Sequence, residues 1–166
     1  ILAEVKKLGN EDFLLCLLSG GGSSLLSLPI AGITLDDLRD VTTQLLRSGA
    51  TIQEINTVRK HLSAIAGGRL AASSGAEVLA LIISDVTGDD PTHIASGPCA
   101  PDPTTFFDAL AILEYYRIHV PAAVMETLHA GARGNISETP KSGDALFDQV
   151  ENRVIATAHA SLATAA

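Results

Sequence analysis

Two short runs of unbroken hydrophobicity stand out along the chain. Phe13-Leu14-Leu15-Cys16-Leu17-Leu18 runs into Ser19-Gly20-Gly21-Gly22, and Val78-Leu79-Ala80-Leu81-Ile82-Ile83 runs into Ser84-Asp85. Neither alternates apolar with polar residues, the pattern of parallel strands covered on both faces. A weaker third strand is read at Arg153–Thr157. Between the first two strands the period becomes helical. Leu38, Val41, Leu45 and Leu46 share one helical face, with Thr34 as N-cap and Gly49 as the left-handed stop. Thr51-Ile52-Gln53-Glu54 is a capping box. It opens a helix striped by Ile52, Ile55, Val58, Leu62 and Ile65, which Gly67-Gly68 is expected to end.

A short helix is expected at Arg69–Ser74 before the second strand. Asp85 to Thr104 holds Pro91, Pro98, Pro101 and Pro103 and reads as a long ordered loop, the kind that tends to be functional. Helices are expected over Thr105–Tyr116 and Pro121–Ala130, the latter with proline in its first turn, then a polar, turn-rich Arg133–Asp144. An alanine-rich helical pattern follows at Ala156–Ala166. Strands alternating with helices predict an α/β fold, a doubly wound, mostly parallel sheet with helices on both faces.

Composition narrows the function classes. With 166 residues, 46% hydrophobic and 18% charged, the chain is the size of one domain and is not disordered. A net charge of −8, no Trp, two Tyr and four Phe argue against a nucleic-acid partner, which needs a basic face or stacking aromatics. The apolar runs are too short to span a bilayer. Cys16 and Cys99 form neither a CxxC nor a disulfide framework, and Cys16 reads as a small buried thiol. No signal peptide is read before the first strand, so a cytoplasmic setting is expected. Beginning at Ile1 and stopping within a helical pattern, the chain reads as an excerpt of something longer.

Four segments carry candidate chemistry. Ser19-Gly20-Gly21-Gly22-Ser23-Ser24 follows a strand, where α/β sheets bind ligands and glycine lets the backbone approach an anion. It is neither a Walker A loop nor GxGxxG. A tight turn alone needs fewer glycines, so a phosphate or carboxylate site is expected. Ser84-Asp85-Val86-Thr87-Gly88-Asp89-Asp90 gathers three carboxylates that repel one another unless a cation joins them. Mg²⁺ bridging phosphates is the natural candidate, with Asp85 and Asp89 as ligands; a solvated loop is the bland alternative. His93 nearby is weak evidence for a transition metal. In Asn56-Thr57-Val58-Arg59-Lys60-His61-Leu62-Ser63, Arg59 or Lys60 can neutralise an anion, or the segment is merely a basic exposed face. Ala95-Ser96-Gly97-Pro98 reads as a shaped turn.

Taken in order, these segments, with Gly67-Gly68-Arg69-Leu70-Ala71 between them, resemble the glycerate 2-kinases, a family also labelled hydroxypyruvate reductase. The match runs from about Leu14 to Pro140. The resemblance implies phosphorylation of D-glycerate to 2-phosphoglycerate by ATP with Mg²⁺. It implies a Rossmann-like larger N-terminal domain, of which residues 1–166 would be the central part. The second, C-terminal domain, which forms the other half of the cleft, lies outside the chain, so this span alone is expected to be inactive. On this reading Lys60, Asp85 and Arg59 are catalytic, and Asp85 and Asp89 hold metal. Ser19, Gly20, Gly21, Gly22, Ser23, Ser24, Asn56, Ser96 and Gly97 bind substrate or phosphate. Ala66 departs from the family, which usually has lysine there. The expected partners are small molecules, D-glycerate and ATP, with room for a homodimer. The alternatives are an NAD(P)H-dependent hydroxypyruvate reductase, which lacks its dinucleotide fingerprint here, and a binding module that has lost catalysis.

Overall fold

A computed structural model of the chain describes residues 1–157 and 162–163. The three expected strands are present: β1 (Phe13–Ser19), β2 (Glu77–Ser84) and β3 (Val150–Thr157). They form one parallel sheet in the order β1-β2-β3. The short α1 (Leu2–Val5) precedes β1. Between β1 and β2 lie α2 (Gly22–Leu25), α3 (Leu35–Ser48), α4 (Ile52–His61) and α5 (Arg69–Ala72). Between β2 and β3 lie α6 (Phe106–Tyr115) and α7 (Ala122–Ala132). Of the alanine-rich tail, Ala156 and Thr157 belong to β3 and Leu162 and Ala163 are helical; the rest lies outside the described residues.

Local chemistry explains the helix starts. Thr34, Thr51 and Thr105 each cap a helix and are capped in return by the acid three residues on, Asp37, Glu54 and Asp108. Each box satisfies otherwise orphaned N–H groups. Pro121 sits at the N-cap of α7 rather than inside its first turn. One expected stop is wrong: α4 ends at His61, well before Gly67-Gly68. The chain there has better partners than a further helical turn. The Ile30 N–H donates to the Leu62 carbonyl (2.9 Å) and the Ala64 N–H to that of Leu28 (2.8 Å). The Ser63 hydroxyl then accepts from the N–H groups of Ile65 (3.2 Å) and Ala66 (3.1 Å).

The α/β parallel sheet is as expected, but its burial is one-sided. Cys16, Val78, Ala80 and Ile82 pack against Ile65, Leu70 and Ala71 from the first crossover and Ile94 and Cys99 from the second. Their neighbours on the other face, Phe13, Leu15, Leu17 and Ile155, are exposed. With strands in sequential order, two crossovers of one hand fall on the same face. The helices expected on the second face are therefore not supplied by the described residues. A second core lies outside the sheet layer, where α3, α4, α6 and α7 bury Val41, Leu45, Val58, Phe106 and Leu128. The two cysteines are remote in sequence yet meet in the first core, Sγ to Sγ 3.6 Å, both free.

Candidate active-site cleft

The carboxyl end of the sheet carries a cleft of about 230 Å³ lined by Gly21, Ser23, Ser24, Asn56, Arg59, Asp85 and His93, among others. Its floor exists because Gly20 has no side chain: a Cβ there would collide with the Asp85 carboxylate. At Gly22 a Cβ would lie 2.9 Å from the Ala95 methyl. Gly21 takes φ 76, a left-handed value that suits glycine, as the N-cap of α2. Beside the cleft β3 carries an extra residue, Ile155, so that Ile82 pairs with Val154 but Ile83 with Ala156. Such bulges re-aim the strand end next to a site.

Hydrogen bonds join the expected segments. The Arg59 guanidinium donates to the Ser23 carbonyl (2.6 Å). Ser96 donates its hydroxyl hydrogen to Asn56 Oδ1 (3.2 Å), so the 2.9 Å bond between the Ser23 and Ser96 hydroxyls takes its hydrogen from Ser23. Among the described residues no hydrogen bond takes the Asn56 amide N–H groups or the other guanidinium N–H groups of Arg59. Burial pulls the Arg59 pKa down from its ordinary value, and no carboxylate pairs with it among the described residues.

The turn behind the cleft is strained. Ala95 (φ 51), Ser96 (φ 61) and Gly97 (φ 61) take successive left-handed conformations, which cost energy at the two non-glycine positions and tend to persist at functional sites. Gly67 and Gly68 brace it, their N–H groups donating to the carbonyls of Ser96 (3.0 Å) and Gly97 (2.7 Å). The double glycine that the sequence presents as a helix stop is thus a support for this turn. Ser96 is buried and acts through Ser23 and Asn56 rather than facing the cleft. Gly97 backs the turn against Thr92, and Ser19 lies at the end of β1, where it lines the neighbouring apolar groove instead.

Lys60 stands apart. It is 1% exposed, and its ammonium lies 3.3 Å from Asp102, itself fully buried. Burial pushes the Asp102 pKa up, but the Lys60 charge and two hydrogen bonds from Thr104 outweigh it and hold the carboxyl below its usual value. Lys60 therefore does not reach the cleft, and the expected catalytic lysine is a core ion pair. Helix spacing told which face it shares, not that Asp102 waits there from 42 residues downstream.

Of the expected metal ligands, Asp85 lines the cleft and Asp89 does not. Asp85 makes no hydrogen bond or ion pair among the described residues. No group of three or more metal-ligating side chains is assembled among them. His93, read from sequence only as weak evidence for a transition metal, and Ala95, read only as part of a shaped turn, also line the cleft. No helix among the described residues is long and apolar enough to cross a membrane.

Comparisons agree with this architecture. A family described as a domain of unknown function, DUF4147, matches residues 1–129. The glycerate 2-kinase of Pyrococcus horikoshii is 47% identical over 158 residues, 94% of this chain and 35% of that protein. A solved structure of a glycerate kinase from Thermotoga maritima superposes with a TM-score of 0.82 at 46% identity, covering 93% of this chain and 35% of that one. A relative from Agrobacterium vitis, 54% identical over 145 residues (87% of this chain, 32% of that protein), carries a provisional hydroxypyruvate reductase name. The chain spans about a third of the length of the curated relatives it matches.

Proposed function

The chain belongs to the DUF4147 family, and we propose that the protein it is part of is a glycerate 2-kinase, transferring the γ-phosphoryl group of ATP to D-glycerate. The observation that carries this reading is the meeting of the glycine loop, Asn56, Arg59 and Asp85 in one small cleft, in a chain whose kinase relatives superpose on it. Residues 1–166 form the central part of the larger domain, and the remaining length of the relatives supplies the rest of the cleft. The setting is cytoplasmic.

Phosphoryl transfer asks a protein for position and charge neutralisation more than for covalent chemistry. Asn56 and Arg59 offer N–H donors to a carboxylate or phosphate, and Arg59, which no carboxylate pairs with among the described residues, neutralises charge. The tripod of Ser23, Ser96 and Asn56 keeps those donors fixed, so little reorganisation is needed during the reaction. Asp85 fits a hard cation, since Mg²⁺ is usually held by one or two carboxylates with phosphate oxygens and water around it. Bound there, Mg²⁺ supplies neutralisation of the phosphate oxygens. Lys60 has no catalytic part.

Phosphorus NMR of the parent protein with MgATP and D-glycerate tests the reading. ADP and 2-phosphoglycerate signals support it. Unchanged ATP together with hydroxypyruvate-dependent oxidation of NADH replaces it with the reductase activity that the Agrobacterium name carries.

A further inference from the structure

A second, larger recess of about 510 Å³ lies between α2 and α3, lined by Ser24, Ser27, Arg39, Thr42, Thr43 and Arg59 among others. Ser24 and Arg59 also line the 230 Å³ cleft, so the two spaces share a wall. We propose that this recess is the subsite for the polyphosphate of the nucleotide, with the three-carbon acid in the cleft and Arg59 at the junction. The proposal rests on the kinase reading and assigns each ligand its place.

Size and charge both point that way. The part of the cleft formed by this chain, about 230 Å³, has room for a three-carbon acid, and the recess beside it is the larger space. The recess has the room and two guanidinium groups. Among the described residues neither arginine is neutralised by a buried acid. Arg59 has no carboxylate partner among the described residues. Arg39 meets only Asp36 at 3.4 Å, across a pair whose side chains are 70% and 91% exposed. Such an exposed pair is weak and gives way to a more highly charged anion. Four hydroxyls line the same walls; each donates to a backbone carbonyl, and each can turn toward a phosphate oxygen. The junction places Arg59 where a phosphoryl group would pass from donor to acceptor, the position at which a fixed cation lowers the barrier most.

The test is calorimetric titration of the parent protein with magnesium tripolyphosphate and, separately, with D-glycerate. Arg39→Gln is expected to weaken tripolyphosphate about fivefold and leave D-glycerate within twofold, and Arg59→Gln to weaken both. Asp36→Asn frees Arg39 and is expected to tighten tripolyphosphate about threefold. Arg47→Gln, at the far end of α3, is expected to change neither and so measures the effect of net charge alone. Unchanged tripolyphosphate affinity in Arg39→Gln overturns the assignment, as does an equal loss for both ligands. If the parent transfers no phosphate yet Arg39→Gln still loses tripolyphosphate, the recess stands and the kinase reading falls. Transfer with a silent Arg39→Gln brings down the recess alone.

Discussion

A hydrogen at position 20, where any other residue has a Cβ, is what lets the end of β1 and the Asp85 loop touch. Gly20→Ala drives a methyl group into the Asp85 carboxylate and is expected to cost about 1–3 kcal/mol, the range for overpacking. A urea-denaturation cycle checks it: in an Asp85→Gly background the cost is expected to fall by more than half, because the colliding Oδ2, Cγ and Cβ atoms are all gone. A full cost in both backgrounds would mean the backbone itself needs glycine. Lys60 gives the opposite lesson. Removing one partner of a buried pair leaves a stranded charge, so Lys60→Met is expected to destabilise the fold by about 3–5 kcal/mol. Replacing both, Lys60→Met with Asp102→Leu, is expected to restore most of that stability with substrate KM values unchanged; a lost KM in the folded double variant would return Lys60 to the site. Gly20, Asn56, Arg59 and Asp85 were legible because strand ends and helix spacing are local patterns. The burial of Lys60 was not, since its partner comes from Asp102 in a loop with no periodicity.

Between elements, Glu138 is the clamp. Its carboxylate accepts from the Phe106 N–H at the start of α6 (3.0 Å) and from the Thr139 N–H (2.9 Å). It also lies 3.0 Å from Nε2 of His61, the last residue of α4. His61 Nδ1 faces the Thr57 carbonyl (2.8 Å) and donates there. Burial raises the Glu138 pKa, but the two N–H bonds and the His61 and Lys141 charges prevail and hold it below its usual value. A depressed carboxyl stabilises the fold fully above its unfolded value, about 4.3, and loses that contribution as pH falls through the folded value. The stability gap between the natural chain and Glu138→Gln is therefore expected to be constant near neutrality and to shrink below about pH 4.3. Urea midpoints at pH 7 and pH 3.5 measure it, and a gap that persists at pH 3.5 refutes the ionic clamp. The helices that Glu138 joins were legible, α4 from its capping box at Thr51 and α6 as the helix expected over Thr105–Tyr116; the clamp was not, because it pairs sites 77 residues apart.

At the scale of the molecule, the sheet shows why a hydrophobic run can be read correctly and its surroundings incompletely. Phe13–Leu18 is apolar on both faces, and that predicted cover on both. Within the described residues only the even positions are packed, since both crossovers of a β1-β2-β3 sheet lie on one side. Leu17 is 73% exposed and Phe13 55%, in a strand at the sheet edge with no neighbour beyond it among the described residues. A bare apolar edge of this kind invites association. The relatives are about three times as long as the chain, and the unbroken apolar pattern of β1 is what a strand needs when further chain packs on its second face. Leu17→Lys separates the two settings. In the 166-residue chain alone it is expected to suppress self-association, seen as a shift toward monomer in sedimentation, with the fold's stability within about 0.5 kcal/mol, as for a surface change. In the parent protein the same substitution buries an unpaired charge and is expected to cost several kcal/mol. Equal tolerance in both would mean that the second face of the sheet stays bare in the whole protein, and that its hydrophobic pattern serves an encounter with another molecule.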